Sequence, residues 1–204
     1  MSTAVRLPRP FFQREPVELA KSLLGQRLVR VLDDGTRFAG TIVETEAYLG
    51  IPDLAAHTAN GRRTRRNESM WGEAGHAYVY FTYGMHHCMN IVAGMPDHPV
   101  AVLLRALEPT EGLDAMHDRR PAARRDTDLC SGPGKLCQAL AITRDLDGVD
   151  LTENARLFLE RGRHRRYPDR SIVTTARVGV AYAGEWADKP LRFYVEGNPH
   201  VSRR

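Results

Sequence analysis

Residues 42–48 read Ile-Val-Glu-Thr-Glu-Ala-Tyr, two carboxylates two positions apart with a tyrosine two positions further on. In an extended strand alternate side chains share a face, so Ile42, Glu44, Glu46 and Tyr48 line up. The row has two readings. As an exposed face it carries two solvated acids; with Tyr48 buried, it puts Glu46 at the edge of a cleft, where a carboxylate can take a proton from water. Arg105 is the lone cation of the apolar run at 102–107 (VLLRAL), and a buried cation needs a partner or a pocket to line. An ion pair with Glu44 or Glu46 meets both needs. His57 lies one loop-length after Glu46. A loop histidine by itself is more often a surface or capping residue, and this one gains interest only from the nearby acid and aromatic.

Tyr78, Tyr80 and Tyr83 form a second concentration, with Phe81 among them. Tyr78 and Tyr80 share one strand face. Tyrosines fill half-buried strand faces in many proteins, and they also stack on nucleobases, at about 1–3 kcal/mol per base. Tyr83 differs because Gly84 follows it at a turn, a place poorly suited to a core and well suited to wedging into a partner.

Charge is distributed unevenly. The net charge is +4, and of 29 basic residues only Lys21, Lys135 and Lys189 are lysines; these three are the only candidates for Schiff-base chemistry. Arginines cluster at 62–66, at Arg119–Arg120 with Arg124–Arg125, and at 161–166. Such runs are solvated faces or phosphate contacts, since a guanidinium grips phosphate oxygens in a fork. Residues 131–135 (SGPGK) precede a helical stretch but lack the spacing of a nucleotide-triphosphate loop. That helix start either is capped by Ser131 or receives one backbone phosphate. The three cysteines, Cys88, Cys130 and Cys137, are too few and too oddly spaced for a disulfide framework. Cys88 follows His86 and His87, yet it sits in an apolar run and reads as a small buried hydrophobe. No structural metal is expected.

The elements that must position these residues follow from pattern. At 204 residues the chain has one-domain length, and 42% hydrophobic residues supply a core, too many for a disordered chain. No apolar run approaches the ~20 residues that span a bilayer. Residues 1–10 carry no apolar signal core and are expected to be flexible, so a cytoplasmic protein is expected. A helix is predicted at 16–24, with Pro16 in its first turn and Gly25 after its end. Strands are predicted at 26–32 and 37–48, joined by an Asp33-Asp34-Gly35 turn. A long arginine-rich loop covers 50–69. Further strands are predicted at 77–83, 89–92, 100–107, 172–180 and 191–195, and helices at 109–117 and 133–142. This order argues for an α+β single domain, 1–204, around a mainly antiparallel sheet with flanking helices.

Taken together, residues 42–50 (IVETEAYLG), 55–57, 66–67, 78–90 (YVYFTYGMHHCMN), 102–109 (VLLRALEP), 129–142 (LCSGPGKLCQALAI) and 176–195 (ARVGVAYAGEWADKPLRFYV) resemble the alkyladenine (3-methyladenine) DNA glycosylase family. The resemblance runs from about residue 16 to 201. It implies one domain around a curved antiparallel sheet, no cofactor, and a monomer acting on duplex DNA with damaged purines such as 3-methyladenine, 7-methylguanine, hypoxanthine and ethenoadenine. It implies that Glu46 is the general base, that Arg105 helps hold the attacking water, and that the main-chain carbonyl of Leu103 or Val102 assists. It further implies that Tyr48, His57 and Tyr80 wall the base pocket, that Asn90 crowds the guanine amine, and that Tyr83 fills the gap left in the duplex. Arg62, Arg63, Arg65, Arg66, Met85 and Lys135 would contact the DNA backbone. Arg105 would also help keep Glu46 ionised. His86 and His87 stand where relatives often carry aromatics. The N-terminus carries no long basic tail, which fits a bacterial-type, nucleoid-associated enzyme. Three other readings use the same residues: a DNA- or RNA-binding module without catalysis, a metal-dependent nuclease built on Glu44, Glu46 and Asp53, and a strand-cleaving lyase using Lys21, Lys135 or Lys189.

Overall fold

The computed structural model describes residues 5–162 and 167–203, so part of the arginine cluster at 161–166 lies outside the described residues. The twelve-residue strand β2 (Arg37–Tyr48) is the spine. Along one edge it pairs with β5 (Ala101–Glu111). Its other edge is shared by β1 (Arg27–Val31) at the start and β8 (Arg192–Val195) at the end. The hairpin of β3 (Ala77–Thr82) and β4 (His86–Val92) extends the sheet beyond β5. Two short strands, β6 (Leu157–Glu160) beside β1 and β7 (Ile172–Thr175) beside β8, complete eight strands, all antiparallel. The sheet is open, with order β3-β4-β5-β2-β1-β6.

Helices cover this sheet. Beyond a single turn, α1 (Arg9–Phe12), α2 (Pro16–Leu23) buries Leu19, Ala20 and Leu23. Its Ala20 carbonyl accepts a 3.0 Å bond from Thr45 Oγ1 on β2. On the far side of β5 come α3 (Leu113–Arg119), the short α4 (Asp126–Leu129) and α5 (Pro133–Ala139), which packs on β4 and β5. Phe12, Leu19, Phe38, Ile42, Met89, Leu104 and Phe193 meet in one core.

Several boundaries differ from the sequence reading. No helix starts at 109, because Pro109 and Glu111 still pair with Gly40 and Ala39, at a register shift where a proline is tolerated in a sheet. The strand ends at Gly112, whose φ of +78° starts α3. A Cβ there would lie 2.7 Å from the Arg37 carbonyl. The strand predicted at 172–180 stops at Thr175, because the chain then turns inward to bury Arg177. The segment expected to be flexible is tied down from residue 6 onward: Leu7 is 2% exposed and donates to the Leu159 carbonyl at 3.0 Å. The Asp33-Asp34-Gly35 turn forms as read, with Thr36 N–H bonded to Asp34 Oδ1 at 2.8 Å.

Candidate active site

One transverse row of the sheet carries the site. Tyr78 on β3 faces Asn90 on β4, Asn90 faces Leu103 on β5, Leu103 faces Glu46 on β2, and Glu46 faces Arg192 on β8. Directly opposed residues project to the same face of an antiparallel sheet, so strand register alone gathers residues from five strands. The face is not solvated. Glu44 and Glu46 are both 0% exposed, and the exposed-face reading of the acid pair fails.

Arg105 resolves that burial. Its Nε is 2.9 Å from Glu44 Oε1 and its Nη1 3.2 Å from Glu46 Oε1, so the ion pair expected with one acid forms with both. β2 and β5 slip register between Ile42 and Thr45, where Arg105 sits opposite the acids. Glu44 is then saturated: Arg192 Nε donates at 2.7 Å, Ser202 N–H at 2.6 Å and Ser202 Oγ at 2.9 Å. Glu46 keeps different company. Its Oε1 accepts from Val178 N–H at 2.7 Å and its Oε2 from the Tyr48 hydroxyl at 3.0 Å.

Those donors do not keep Glu46 at an ordinary carboxylate pKa. Burial raises it, Arg105, Val178 N–H and Tyr48 O–H pull it back, and Glu44 adds to the rise. Arg105 thus works in the expected direction, favouring the ionised acid, while desolvation is the larger effect. A carboxylate raised above its ordinary range is a stronger proton acceptor than a free one. Burial and Glu46 likewise raise Tyr48 well above a normal phenol, so it remains a donor.

In front of Glu46, with its partner Tyr48 in the wall, a small cleft opens, lined by Tyr48, Ala55, His57, Met70, Tyr78, Tyr80, Asn90 and Tyr182. Its walls are aromatic: His57 meets Tyr80 edge-on at 4.5 Å, and the Tyr78 and Tyr80 rings lie 5.3 Å apart. His57 Nδ1 is 2.8 Å from the Tyr78 hydroxyl. Burial, then Arg66 and Arg62, push the imidazole down to about 4, so it is neutral at physiological pH. Asn90 donates from Nδ2 to the Tyr78 carbonyl at 3.2 Å. Of the residues expected to form the pocket, Tyr48, His57, Tyr80 and Asn90 line it, whereas Leu103 lies in the sheet between Asn90 and Glu46.

Outside the cleft, Tyr83 is 82% exposed and Met85 69%. Tyr83 and Gly84 both take positive φ, +52° and +67°, the two-residue turn that matches strand twist. Arg62, Arg63, Arg65 and Arg66 are all exposed. Arg63 pairs with Glu68 at 2.5 Å and lies over the Trp71 ring. Arg66 donates to the Phe81 carbonyl at 3.2 Å and lies over Tyr80. Lys135 is exposed near Ser131, but Gly132 occupies the cap position of α5 and Ser131 makes no capping bond.

The residues that sequence reasoning missed are Met70, Ala55 and Tyr182 on the cleft wall, and Val178, Arg192 and Ser202 around the acids. Tyr182 alone left a signal, as an aromatic in the turn-rich stretch 179–184. The metal-nuclease reading loses its ligand set, because Asp53 is bound to Arg177, at 2.6 Å with both side chains 0% exposed, while Glu44 and Glu46 are held by Arg105. Lys21 lies over Phe193, Lys189 lies over Trp186, and Lys135 is exposed on α5, all three outside the cleft lining. The three cysteines are buried thiols.

A family model described as Methylpurine-DNA glycosylase (MPG) matches residues 10–199. The chain is 51% identical to the DNA-3-methyladenine glycosylase of Homo sapiens, over 97% of this chain and 68% of that protein. It is 48% identical to that of Mus musculus, over 97% of this chain and 61% of the relative. It is also 48% identical to the putative 3-methyladenine DNA glycosylase of Methanocella arvoryzae, over 97% of this chain and 96% of the relative. The chain thus spans somewhat under two thirds of the mouse protein and nearly all of the Methanocella protein. With the match running through every strand that builds the acid cluster and the aromatic cleft, the chain belongs to the methylpurine-DNA glycosylase family.

Proposed function

We propose that this protein releases alkylated purines, and hypoxanthine, from duplex DNA by hydrolysing the N-glycosidic bond with a water deprotonated by Glu46. The observation that carries this reading is a fully buried carboxyl, held by Arg105, Val178 N–H and Tyr48 O–H, directly behind the Tyr48 wall of a cleft lined by tyrosines. A duplex hides the glycosidic bond, so the nucleotide swings out at a cost of a few kcal/mol. Tyr83, at the exposed hairpin tip, offsets part of that cost by entering the stack. The cleft then takes one base. A purine made cationic by alkylation is attracted to the faces of Tyr48 and Tyr80 and meets no opposing charge from a neutral His57. As the bond to the sugar breaks, the sugar gains oxocarbenium character; ionised Glu46 stabilises it and accepts the water proton. Arg105 helps hold the water. The atoms of the reaction come from water and substrate, so no cofactor enters it, and the placement of the three lysines outside the cleft supports hydrolysis over a lyase route.

The test is base release from a duplex carrying one hypoxanthine or one 3-methyladenine, with chelator present, for the wild type and Glu46→Gln. Release by the wild type, with a loss of at least about 100-fold in Glu46→Gln and duplex binding retained, is expected for a general base. Equal release by both proteins would refute the role of Glu46, and binding without release by either would point to a damage-binding module.

A further inference from the structure

We infer that the Asp53–Arg177 ion pair is a positioning device for this reaction, clamping the strap at 177–178 onto β2 so that Val178 N–H stays on Glu46 and Tyr48 stays in the cleft wall. The inference rests on the glycosylase reading above.

Asp53 and Arg177 are buried in the tie between three segments. Asp53 Oδ2 accepts Leu49 N–H at 2.9 Å and Oδ1 accepts Ala55 N–H at 3.0 Å, which fixes the turn leaving β2. Arg177 reaches both carboxylate oxygens, at 2.6 and 2.9 Å. It also donates to the Ala47 carbonyl at 3.0 Å and the Trp186 carbonyl at 3.2 Å. Its guanidinium lies 4.7 Å from the centre of the Tyr48 ring. The next residue is Val178, whose N–H meets Glu46 at 2.7 Å. Ala55, held by Asp53, receives the Tyr182 hydroxyl at 3.2 Å, and both line the cleft. One pair therefore sets the backbone donor to the acid and two parts of the wall. A buried ion pair is a poor source of net stability, because desolvation takes back most of the attraction. What a fork with this many partners does supply is fixed geometry.

The experiment is single-turnover hypoxanthine release against pH for the wild type, Glu46→Gln, Asp53→Asn, Arg177→Lys and Arg177→Met, each well below its own melting midpoint. Glu160→Gln serves as the control, since it breaks the Arg27 and Arg37 pairs on β6 at the opposite sheet edge. The groups facing Glu46 are Arg105 and Glu44 on their strands, Tyr48, Val178 N–H, and at longer range Arg177, Tyr80, Cys88 and Tyr182; of these the variants loosen Val178 and Tyr48 and change the charge balance at Arg177. Both loosened contacts favour the ionised acid, so the acidic limb of the rate should move to higher pH in Arg177→Met, which also takes a cation away from Glu46; in Asp53→Asn the uncompensated Arg177 charge opposes that shift, and the rate is the readout there. The rate itself should fall by about 10- to 100-fold, the scale of a displacement near 1 Å. Arg177→Lys should recover part of what Arg177→Met loses, and Glu160→Gln should lose melting temperature with rate and limb unchanged. A folded Asp53→Asn with wild-type rate overturns the inference, as does a folded Arg177→Met with wild-type rate and limb. Should neither variant fold, wild-type kinetics in Arg177→Lys overturns it equally. A wild type that releases no base would instead strike the functional reading itself.

Discussion

At the scale of the residue, His57 shows how an aromatic cleft sets a charge. The imidazole is enclosed by Tyr78, Tyr80 and the loop that carries Arg62 and Arg66, and its pKa falls to about 4. Two consequences follow. A neutral ring can sit beside a cationic base without repelling it, and protonation is coupled to unfolding. An unfolded histidine binds its proton near pH 6.5 and the folded one only near pH 4, so the contribution of His57 is complete above 6.5 and is lost as pH falls towards 4. Its size is about 3 kcal/mol as an upper figure. Glu46 acts in the opposite sense, since an acid raised by burial is relieved when it is protonated, so the whole-protein curve mixes the two. The comparison that isolates His57 is urea unfolding of the wild type and His57→Gln between pH 7 and 4. The stability gap between the two proteins should shift in favour of the glutamine variant as pH falls; a constant gap would mean that the ring titrates alike in the folded and unfolded chain.

The β3–β4 hairpin is the element on which base extrusion depends. Its turn forces Tyr83 and Gly84 into left-handed backbone, a conformation that costs a non-glycine residue about 1 kcal/mol or more. The return is an aromatic ring standing clear of the surface, 82% exposed. Against the other wall of the hairpin, His86 packs on Gly134 of α5, where a Cβ would approach the imidazole to 3.1 Å. If the ring replaces a lost base, Tyr83→Ala forfeits about 1–3 kcal/mol of stacking, or roughly 5- to 150-fold in Kd, on damaged duplex and far less on single strands. Competition binding on both substrates measures this, and equal losses would remove the wedge role. Elements differ in how plainly the sequence announces them. The hairpin turns at 33–35 and 83–84 and the strands at 37–48 and 77–82 were legible, because alternation and glycine placement are local signals. The helix placed at 109–117 was not, since its first residues are held in β5 by pairing with Ala39 and Gly40, a contact about 70 residues away. β6 is too short for its pattern to register. Within the site, Glu46 and Arg105 could be suspected from type and neighbourhood, but Val178 enters through a backbone N–H, which no side-chain pattern reveals.

Across the whole molecule, the arginine excess divides into two populations. Many arginines are consumed internally: Arg105 and Arg192 by Glu44, Arg177 by Asp53, Arg27 and Arg37 by Glu111 and Glu160, and Arg120 by the carbonyls of Asp128 and Leu129. A count of charges along the sequence therefore overstates the field that a polyanion meets. Around the cleft mouth the same division holds at short range. Arg63 is matched by Glu68 and Asp97, so a phosphate must displace a carboxylate to reach it. Arg62 and Arg65 are exposed with no side-chain ion pair among the described residues. Each phosphate neutralised releases counterions and adds about 0.9 to the slope of log K against log salt on duplex DNA. Duplex affinity titrated in KCl should accordingly show a steep slope in the wild type, flatter by about 0.9 in Arg62→Ala and in Arg65→Ala, and changed less in Arg63→Ala, where the lost cation takes its own counter-charge out of play. A larger effect at Arg63 than at the other two would mean that DNA binding breaks the Glu68 pair and that the mouth of the cleft rearranges on the duplex.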